Sequence, residues 1–315
     1  MILTITPNPL LDYQLFNEPG RLTGGTRVGR IPFTVGGKGI NVARMLKTLG
    51  RPALALTFAG GSNGEKIRAE LNQQSINARY VAVSTETRTG VNVFDGNSGR
   101  HRWWIEDGEE LKENEILAMI DLVAAESSSA SFIAMSGTIP GKRNNDFYRR
   151  VLETLRGFKG EIYLDARCDA LRQAVTAGGF FLKHNRDEAR ETFALDPFAV
   201  DQKADFYGLL KRHGIWGAMI TDGRNNILLW DGREEYEFIP APAEEVSAVG
   251  CGDATLAGLV YGRSQGMSLP EAAVIGLAAG AADAEKAGPC AASYEEVFQK
   301  INRITLLKKS ELFQV

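Results

Sequence analysis

From about residue 54 onward, short apolar runs alternate with stretches of helical period, and this alternation restricts the fold more than any other feature of the chain. Leu54–Phe58, Ser131–Met135, Ile162–Asp165, Phe180–Lys183 and Ala218–Thr221 read as buried strands, each ending in small or polar residues. Between them lie helical patterns with recognisable ends. Asn41 to Leu49 carries Val42, Leu46 and Leu49 on one face and stops at Gly50, while Ser62–Glu65 and Ser268–Glu271 have capping-box spacing. Strands that alternate with helices predict an open, mostly parallel sheet covered by helices on both faces, with ligands bound at the carboxyl ends of the strands. At 315 residues the chain can bury a large core, as one α/β domain or one domain with an appendage.

Two stretches break the rhythm. Asp12–Val35 and Thr87–Ile105 contain alternating β-type segments with no helix between them, and Asp95–Gly99 reads as the turn of an antiparallel hairpin. They predict one small sheet built from two excursions, 12–35 and 87–105, extending over the mouth of a main domain formed by 1–11, 36–86 and 106–315. The plain alternative is a pair of surface hairpins without a role.

Composition narrows the function classes. Lys and Arg total 36 against 39 Asp and Glu, a net charge of −3, and no basic run or aromatic-basic interleaving occurs, so nucleic acid is not an expected partner. The first twelve residues lack the basic and apolar regions of a secretory signal, and the longest apolar run, Ala272–Ala282, is too short to span a bilayer. Cys168, Cys251 and Cys290 show neither disulfide-framework nor metal-ligand spacing, which fits a reducing cytoplasm.

The segment Val249–Gly258 carries the chemistry. Gly250, Cys251 and Gly252 lead into Asp253, and an apolar helical pattern follows at once. Unpaired N–H groups and the helix dipole attract an anion at such a helix start. An acidic residue there would repel a phosphate unless it removes a proton from the attacking nucleophile. An anion cradle beside a carboxylate base is the minimum apparatus of phosphoryl transfer; the plain alternative is a glycine-rich turn capped by Asp253. Asn185-Arg186-Asp187-Glu188 is open to two readings that can hold together, a helix-start box and a pair of oxygen ligands for Mg²⁺.

These residues resemble a known family. Val249–Gly258 is similar to the C-terminal signature of the PfkB (ribokinase-like) carbohydrate kinases, Gly36-Gly37-Lys38-Gly39-Ile40-Asn41-Val42-Ala43-Arg44 to their N-terminal motif, and Asn185–Glu188 to their Asn-x-x-Glu motif. Thr4–Asp12 looks like the first strand and turn of the phosphosugar-kinase branch, which includes 1-phosphofructokinase and tagatose-6-phosphate kinase. The resemblance runs through the whole chain in the family's order. It implies a ribokinase-like α/β fold whose β-sheet lid covers the sugar and pairs with a second lid in a homodimer. It implies ATP-dependent phosphorylation of a sugar, foremost a ketohexose phosphate such as fructose 1-phosphate, fructose 6-phosphate or tagatose 6-phosphate, with Mg²⁺.

Carried over residue by residue, the resemblance makes Asp253 the general base and the Gly250, Cys251 and Gly252 amides the anion hole. Asp12, Gly36, Gly37 and Asn41 would read sugar hydroxyls, with Asp12 ending the first strand. Arg27, Lys38 and Arg88 would grip a phosphate already on the sugar, with Arg102 a weaker candidate. Lys183, Asn185, Thr221 and Gly223, with Gly250 and Gly252, would hold the nucleotide, Thr221–Gly223 closing the last main-domain strand. Asn185 and Glu188 would hold Mg²⁺ through water. The chain departs from the family at Cys251 (Ala in many relatives), His184 (Pro), Asp222 (an apolar residue) and Trp103-Trp104 (an Asn-Glu-Pro-Gly-like run). A kinase of an unphosphorylated sugar or nucleoside, or a sugar or nucleotide sensor without turnover, are the alternatives; Asp253 and its two glycines argue against the sensor. A dinucleotide-dependent oxidoreductase would need a Gly-x-Gly-x-x-Gly after the first strand, which is missing.

Overall fold

A computed structural model describes residues 1–17, 30–95 and 100–311. The chain opens with β1 (Ile2–Thr6), β2 (Leu10–Asn17), β3 (Phe33–Gly36) and α1 (Lys38–Thr48), then runs through β4 (Leu54–Ala59), α2 (Gly61–Gln73) and β5 (Ala78–Ala82). The strands β6 (Thr89–Asp95) and β7 (Arg100–Ile105) precede α3 (Glu113–Ser127), β8 (Phe132–Ser136), α4 (Phe147–Thr154), β9 (Glu161–Asp165) and α5 (Cys168–Val175). There follow β10 (Phe181–Asn185), α6 (Arg186–Phe193), α7 (Val200–Arg212), β11 (Gly217–Thr221), β12 (Ile227–Trp230) and β13 (Glu234–Ile239). The chain closes with α8 (Cys251–Ser264), α9 (Leu269–Asp283), α10 (Tyr294–Ile301) and β14 (Thr305–Glu311).

Ten strands form one sheet in the order β14-β13-β12-β11-β10-β9-β8-β1-β4-β5. The seven from β11 to β5 are parallel, and β12 to β14 add an antiparallel end. All five runs expected to be strands are strands of this sheet. Thr221 ends β11, but β11 is not the last strand of the main sheet, because β12, β13 and β14 continue it. Strand order reverses at β1, which pairs with β4 on one side and β8 on the other; the crevice above such a switch point is where open α/β sheets take ligands.

Period-2 alternation divides the core between the two faces. Ala55, Ala134, Tyr163, Phe181 and Met219 join the core under α1, α8 and α9. Leu56, Ile133, Leu164, Leu182 and Ile220 join the one under α3, α4, α5 and α7. The Ala- and Gly-rich run at Ala272–Ala282 lies in α9, packed against α8 so closely that a Cβ on Gly258 would fall 2.7 Å from the Ile275 carbonyl oxygen. No helix of the described residues is long and apolar enough to cross a membrane.

The second sheet has the order β3-β2-β6-β7 and draws its strands from both excursions, with β6 and β7 antiparallel as expected. Residues 96–99, the expected turn, lie outside the described residues, as does Arg27. Asp12 lies within β2 of this sheet rather than at the end of β1, because the chain turns out of the main sheet after Thr6. Helix ends follow the sequence with one exception. Ser268 and Glu271 form their capping box, whereas Ser62 lies inside α2, whose first amides at Ser62 and Asn63 donate instead to the Glu86 carboxylate.

Candidate active site

Several strand ends and three helix starts converge at the carboxyl edge of the main sheet. Gly250 caps α8 with φ +91, and a Cβ there would fall 2.6 Å from Pro289 Cα, so glycine is required on both counts. The amides of Gly252 and Asp253 lie in the first turn, where an α-helix leaves its N–H groups without intrahelical acceptors. The Cys251 N–H donates to the Ala248 carbonyl at 3.4 Å, so one amide of the expected cradle already has a partner. The bare backbone of Gly252 opens toward Lys183, whose Nζ lies 3.6 Å from where a Cβ would sit. Desolvation pushes the half-buried Cys251 thiol up to about 12, which leaves it a small packing side chain and no nucleophile.

Asp253 is 5% exposed, and burial pushes its carboxyl up to about 7, against the opposing pull of Lys38 and Lys183. Its Oδ2 accepts a hydrogen bond from Asn41 Nδ2 at 2.8 Å. Asn41 stands on α1, the helix that Gly37 caps with φ +121; a Cβ on Gly37 would lie 2.6 Å from the Thr6 methyl. Gly36 ends β3 against the Leu10 side chain.

Lys38, the first residue of α1, pairs with Asp165 at 2.7 Å and faces Glu188 at 3.6 Å. Burial works against its charge, but the carboxylates of Asp165, Glu188 and Asp253 outweigh it and hold the ammonium above its ordinary value. Asp165 is likewise buried, and Lys38 and Lys183 keep it ionised. Asp165 escaped the sequence reading; its position at the carboxyl end of a buried strand was the available signal. Lys183 and His184 continue β10, and Lys183 Nζ donates to Thr221 Oγ1 at 3.4 Å. The His184 ring is buried with Nε2 2.6 Å from the Ala166 carbonyl. A carbonyl only accepts, so Nε2 carries the proton, and burial keeps the ring neutral.

Asn185 and Glu188 form a reciprocal capping box at the start of α6. Glu188 Oε2 accepts from the Asn185 N–H at 3.0 Å, leaving Oε1 turned to Lys38. Gly223 has φ +57 in the turn after β11, and Asp222 is tied to Arg186 at 3.1 Å.

A cleft of about 1190 Å³ opens beside this cluster, lined by Asn8, Lys38, Arg88, Gly137, Thr138 and Arg167 among others. Arg88 reaches it with its guanidinium already donating to the carbonyls of Asn8 (2.9 Å), Pro9 (3.3 Å) and Glu106 (3.1 Å), and burial lowers it to about 10. Asp12 does not line this cleft. It lies on the polar face of the small sheet, where Oδ2 accepts from Gln14 at 2.7 Å and the buried Oδ1 has no partner. Trp103 pairs with Asn92 on that face, while Trp104 pairs with Val91 on the other; both rings are exposed, as is Arg102.

Residues 11–296 match the profile of the pfkB family carbohydrate kinases. The chain is 31% identical over 297 residues to an ATP-dependent 6-phosphofructokinase isozyme 2 of Mycobacterium tuberculosis, covering 94% of this chain and 87% of the relative. It is 27% identical over 284 residues to a 1-phosphofructokinase of Bacillus subtilis, covering 90% and 92%. The crystal structure of phosphofructokinase-2 from Escherichia coli superposes with a TM-score of 0.87 at 24% identity, over 96% of this chain and 98% of that one. The fold is thus the ribokinase-like one, and the chain belongs to the PfkB family and is a carbohydrate kinase.

Proposed function

We propose that this kinase transfers the γ-phosphoryl group of ATP to a hydroxyl of a ketohexose phosphate, with Asp253 as general base. Fructose 1-phosphate, fructose 6-phosphate and tagatose 6-phosphate are the candidate acceptors, the two fructose phosphates in keeping with the names of the relatives. The observation that carries the reading is the buried Asp253 carboxylate at the first turn of α8, poised near neutrality at about 7. A base matched to the working pH accepts a proton most effectively.

In this reading Asn41 holds Oδ2 and leaves Oδ1 to take the hydroxyl proton as the new P–O bond forms and ADP departs. The glycine turn 250–252 and the ammonium group of Lys183 beside it bind the oxygens on which charge builds. Lys183, Asn185, Thr221 and Gly223 hold the nucleotide around the ends of β10 and β11. Among the described residues no three His, Cys, Asp or Glu side chains converge to cage a metal. Glu188 still fits a hard cation, since it offers one oxygen beyond its capping bond, although Lys38 at 3.6 Å disfavours direct ligation. Glu188 and Asn185 would therefore hold Mg²⁺ through water, and the ion would neutralise phosphate charge when bound.

Asp12, with its unpartnered Oδ1, reads sugar hydroxyls together with Gly36 and Gly37. Arg88 holds the acceptor's phosphate with Lys38, since a guanidinium has five N–H donors and only three bonds are used here. Arg27 joins them in this proposal from outside the described residues. The stretches 12–35 and 87–105 act as a lid, and two lids pair across the exposed Trp103, Trp104 and Ile105 in a homodimer. The three free cysteines accord with a cytoplasmic enzyme. Measuring ADP release across sugars and sugar phosphates tests the proposal. A ketohexose phosphate should be preferred, and a preference for free fructose, tagatose or a nucleoside over every sugar phosphate would overturn it.

A further inference from the structure

Arg44 lies one turn of α1 beyond Asn41, half-buried and away from the cleft. Its guanidinium is pinned on three sides. Nη1 donates to Asn41 Oδ1 at 2.7 Å, Nη2 to the Val35 carbonyl at 2.7 Å, and Nε to Gln74 Oε1 at 3.2 Å, with Gln74 itself held by Glu70. A guanidinium has no acceptor, so the end of the Asn41 amide facing it must be the oxygen. The other end, Nδ2, then meets Asp253 Oδ2 at 2.8 Å. Asn41 is 6% exposed and Asp253 5%, so water does not compete for either group. With the amide turned over, its oxygen would confront the carboxylate, and the contact would survive only if Asp253 were protonated and donated to it.

We propose that Arg44 is a positioning residue: by holding the Asn41 carbonyl oxygen it fixes which end of that amide meets Asp253, and so keeps the carboxylate ready to accept a proton. The inference rests on Asp253 as the base proposed above. Lys38 on the same helix, Asp165 and Lys183 from the strand ends, and the thiols of Cys251 and Cys290 are the other titratable groups that act on Asp253. Arg44 also attracts Asp253 through space. The test must therefore separate its charge from its hydrogen bond.

The carboxyl ¹³C signal of Asp253, assigned by its loss in Asp253→Asn, reports the titration whether or not Asp253 is the base. Replacing Arg44 by Met removes the hold on Asn41 and should raise the Asp253 midpoint by about one pH unit, a tenfold change in proton affinity. The acid limb of kcat/KM should move with it, so that activity lost near neutrality returns at higher pH. In an Asn41→Ala background the same Arg44→Met change should move the midpoint by clearly less, since only the through-space charge of Arg44 is then lost. An equal shift in both backgrounds would mean that charge alone acts, and an unmoved midpoint in folded Arg44→Met would mean that Arg44 does not act at all; either overturns the proposal. Should Arg44→Met not fold, the wild type decides. The side-chain NH₂ signals of Asn41 should titrate with the Asp253 carboxyl, and signals indifferent to that titration would refute the assigned orientation. A carboxyl that behaves as stated while Asp253→Asn keeps normal turnover would refute the base and leave the relay standing.

Discussion

Replacing Asp253 by Asn should make the folded protein more stable while removing its proposed base, and the gain should depend on pH in a defined way. In the unfolded chain this carboxyl titrates near 3.8, and in the fold burial pushes it up to about 7. A group whose folded value is raised favours the fold below its unfolded value and loses that contribution as pH rises through the folded one. Below pH 4 the acid is neutral in both states and the substitution should be almost silent. Between pH 4 and pH 7 the unfolded chain ionises first, and the cost of keeping Asp253 buried grows. Above pH 7 the carboxylate is charged in both states and the cost levels off at about three units of proton affinity, on the order of 4 kcal/mol. Asn has nearly the same shape, keeps an acceptor for Asn41, and carries no charge. Urea unfolding of the two proteins at pH 5 and pH 8 should show a gain of about 1.5 kcal/mol at the lower pH and about 4 kcal/mol at the higher. In a domain of this size the larger figure corresponds to roughly 6 °C in Tm. A variant less stable than wild type at pH 8, or a gain that ignores pH, would refute the reasoning. Turnover should meanwhile fall on the order of 10²–10⁴-fold.

Glu188→Gln should raise the Mg²⁺ concentration needed for half-maximal rate, because it removes the carboxylate charge that would hold the hydrated cation beside Asn185; an unchanged titration curve would reduce the pair to its capping role. Arg88→Ala should lower kcat/KM for a sugar phosphate by about ten- to a hundredfold, the scale of one charge-assisted contact, and leave activity on the unphosphorylated sugar nearly untouched. Equal losses on both substrates would assign Arg88 to its three backbone carbonyls alone. Trp104→Glu places a charge in an exposed apolar stretch of β7 and should turn the proposed dimer into a monomer by light scattering; a wild type that is already monomeric and fully active would exclude pairing of the lids.

Local pattern made most of the fold legible in advance. The strands β4, β8, β9, β10 and β11 are apolar runs bounded by polar residues, and such runs have few other places to go in a chain of this length. The two excursions carry period-2 patterning without helices, and they form the small sheet. The antiparallel end β12–β14 went unread, because β12 and β13 follow β11 through short turns without the intervening helices that marked the others, and β14 returns to their edge only after α8, α9 and α10. The Ser62 box failed for a related reason. Its spacing was right, but the Glu86 carboxylate, more than twenty residues away, reached the same amides.

At the site, the sequence alone determined the glycine turn before Asp253, the pair Asn185 and Glu188, and the glycines that open α1, since each is a short-range consequence of helix starts and backbone freedom. Tertiary structure decided what surrounds them. Asp165 and Lys38 are 127 positions apart and meet at 2.7 Å, and Asn41 and Asp253 are 212 apart and meet at 2.8 Å. It also removed Asp12 from the main sheet and committed the Arg88 guanidinium to the backbone. The division has a physical cause. Conformational preference acts over a few residues and is written in local order, whereas the charge state of a buried group depends on which distant elements exclude water from it and which charges they bring.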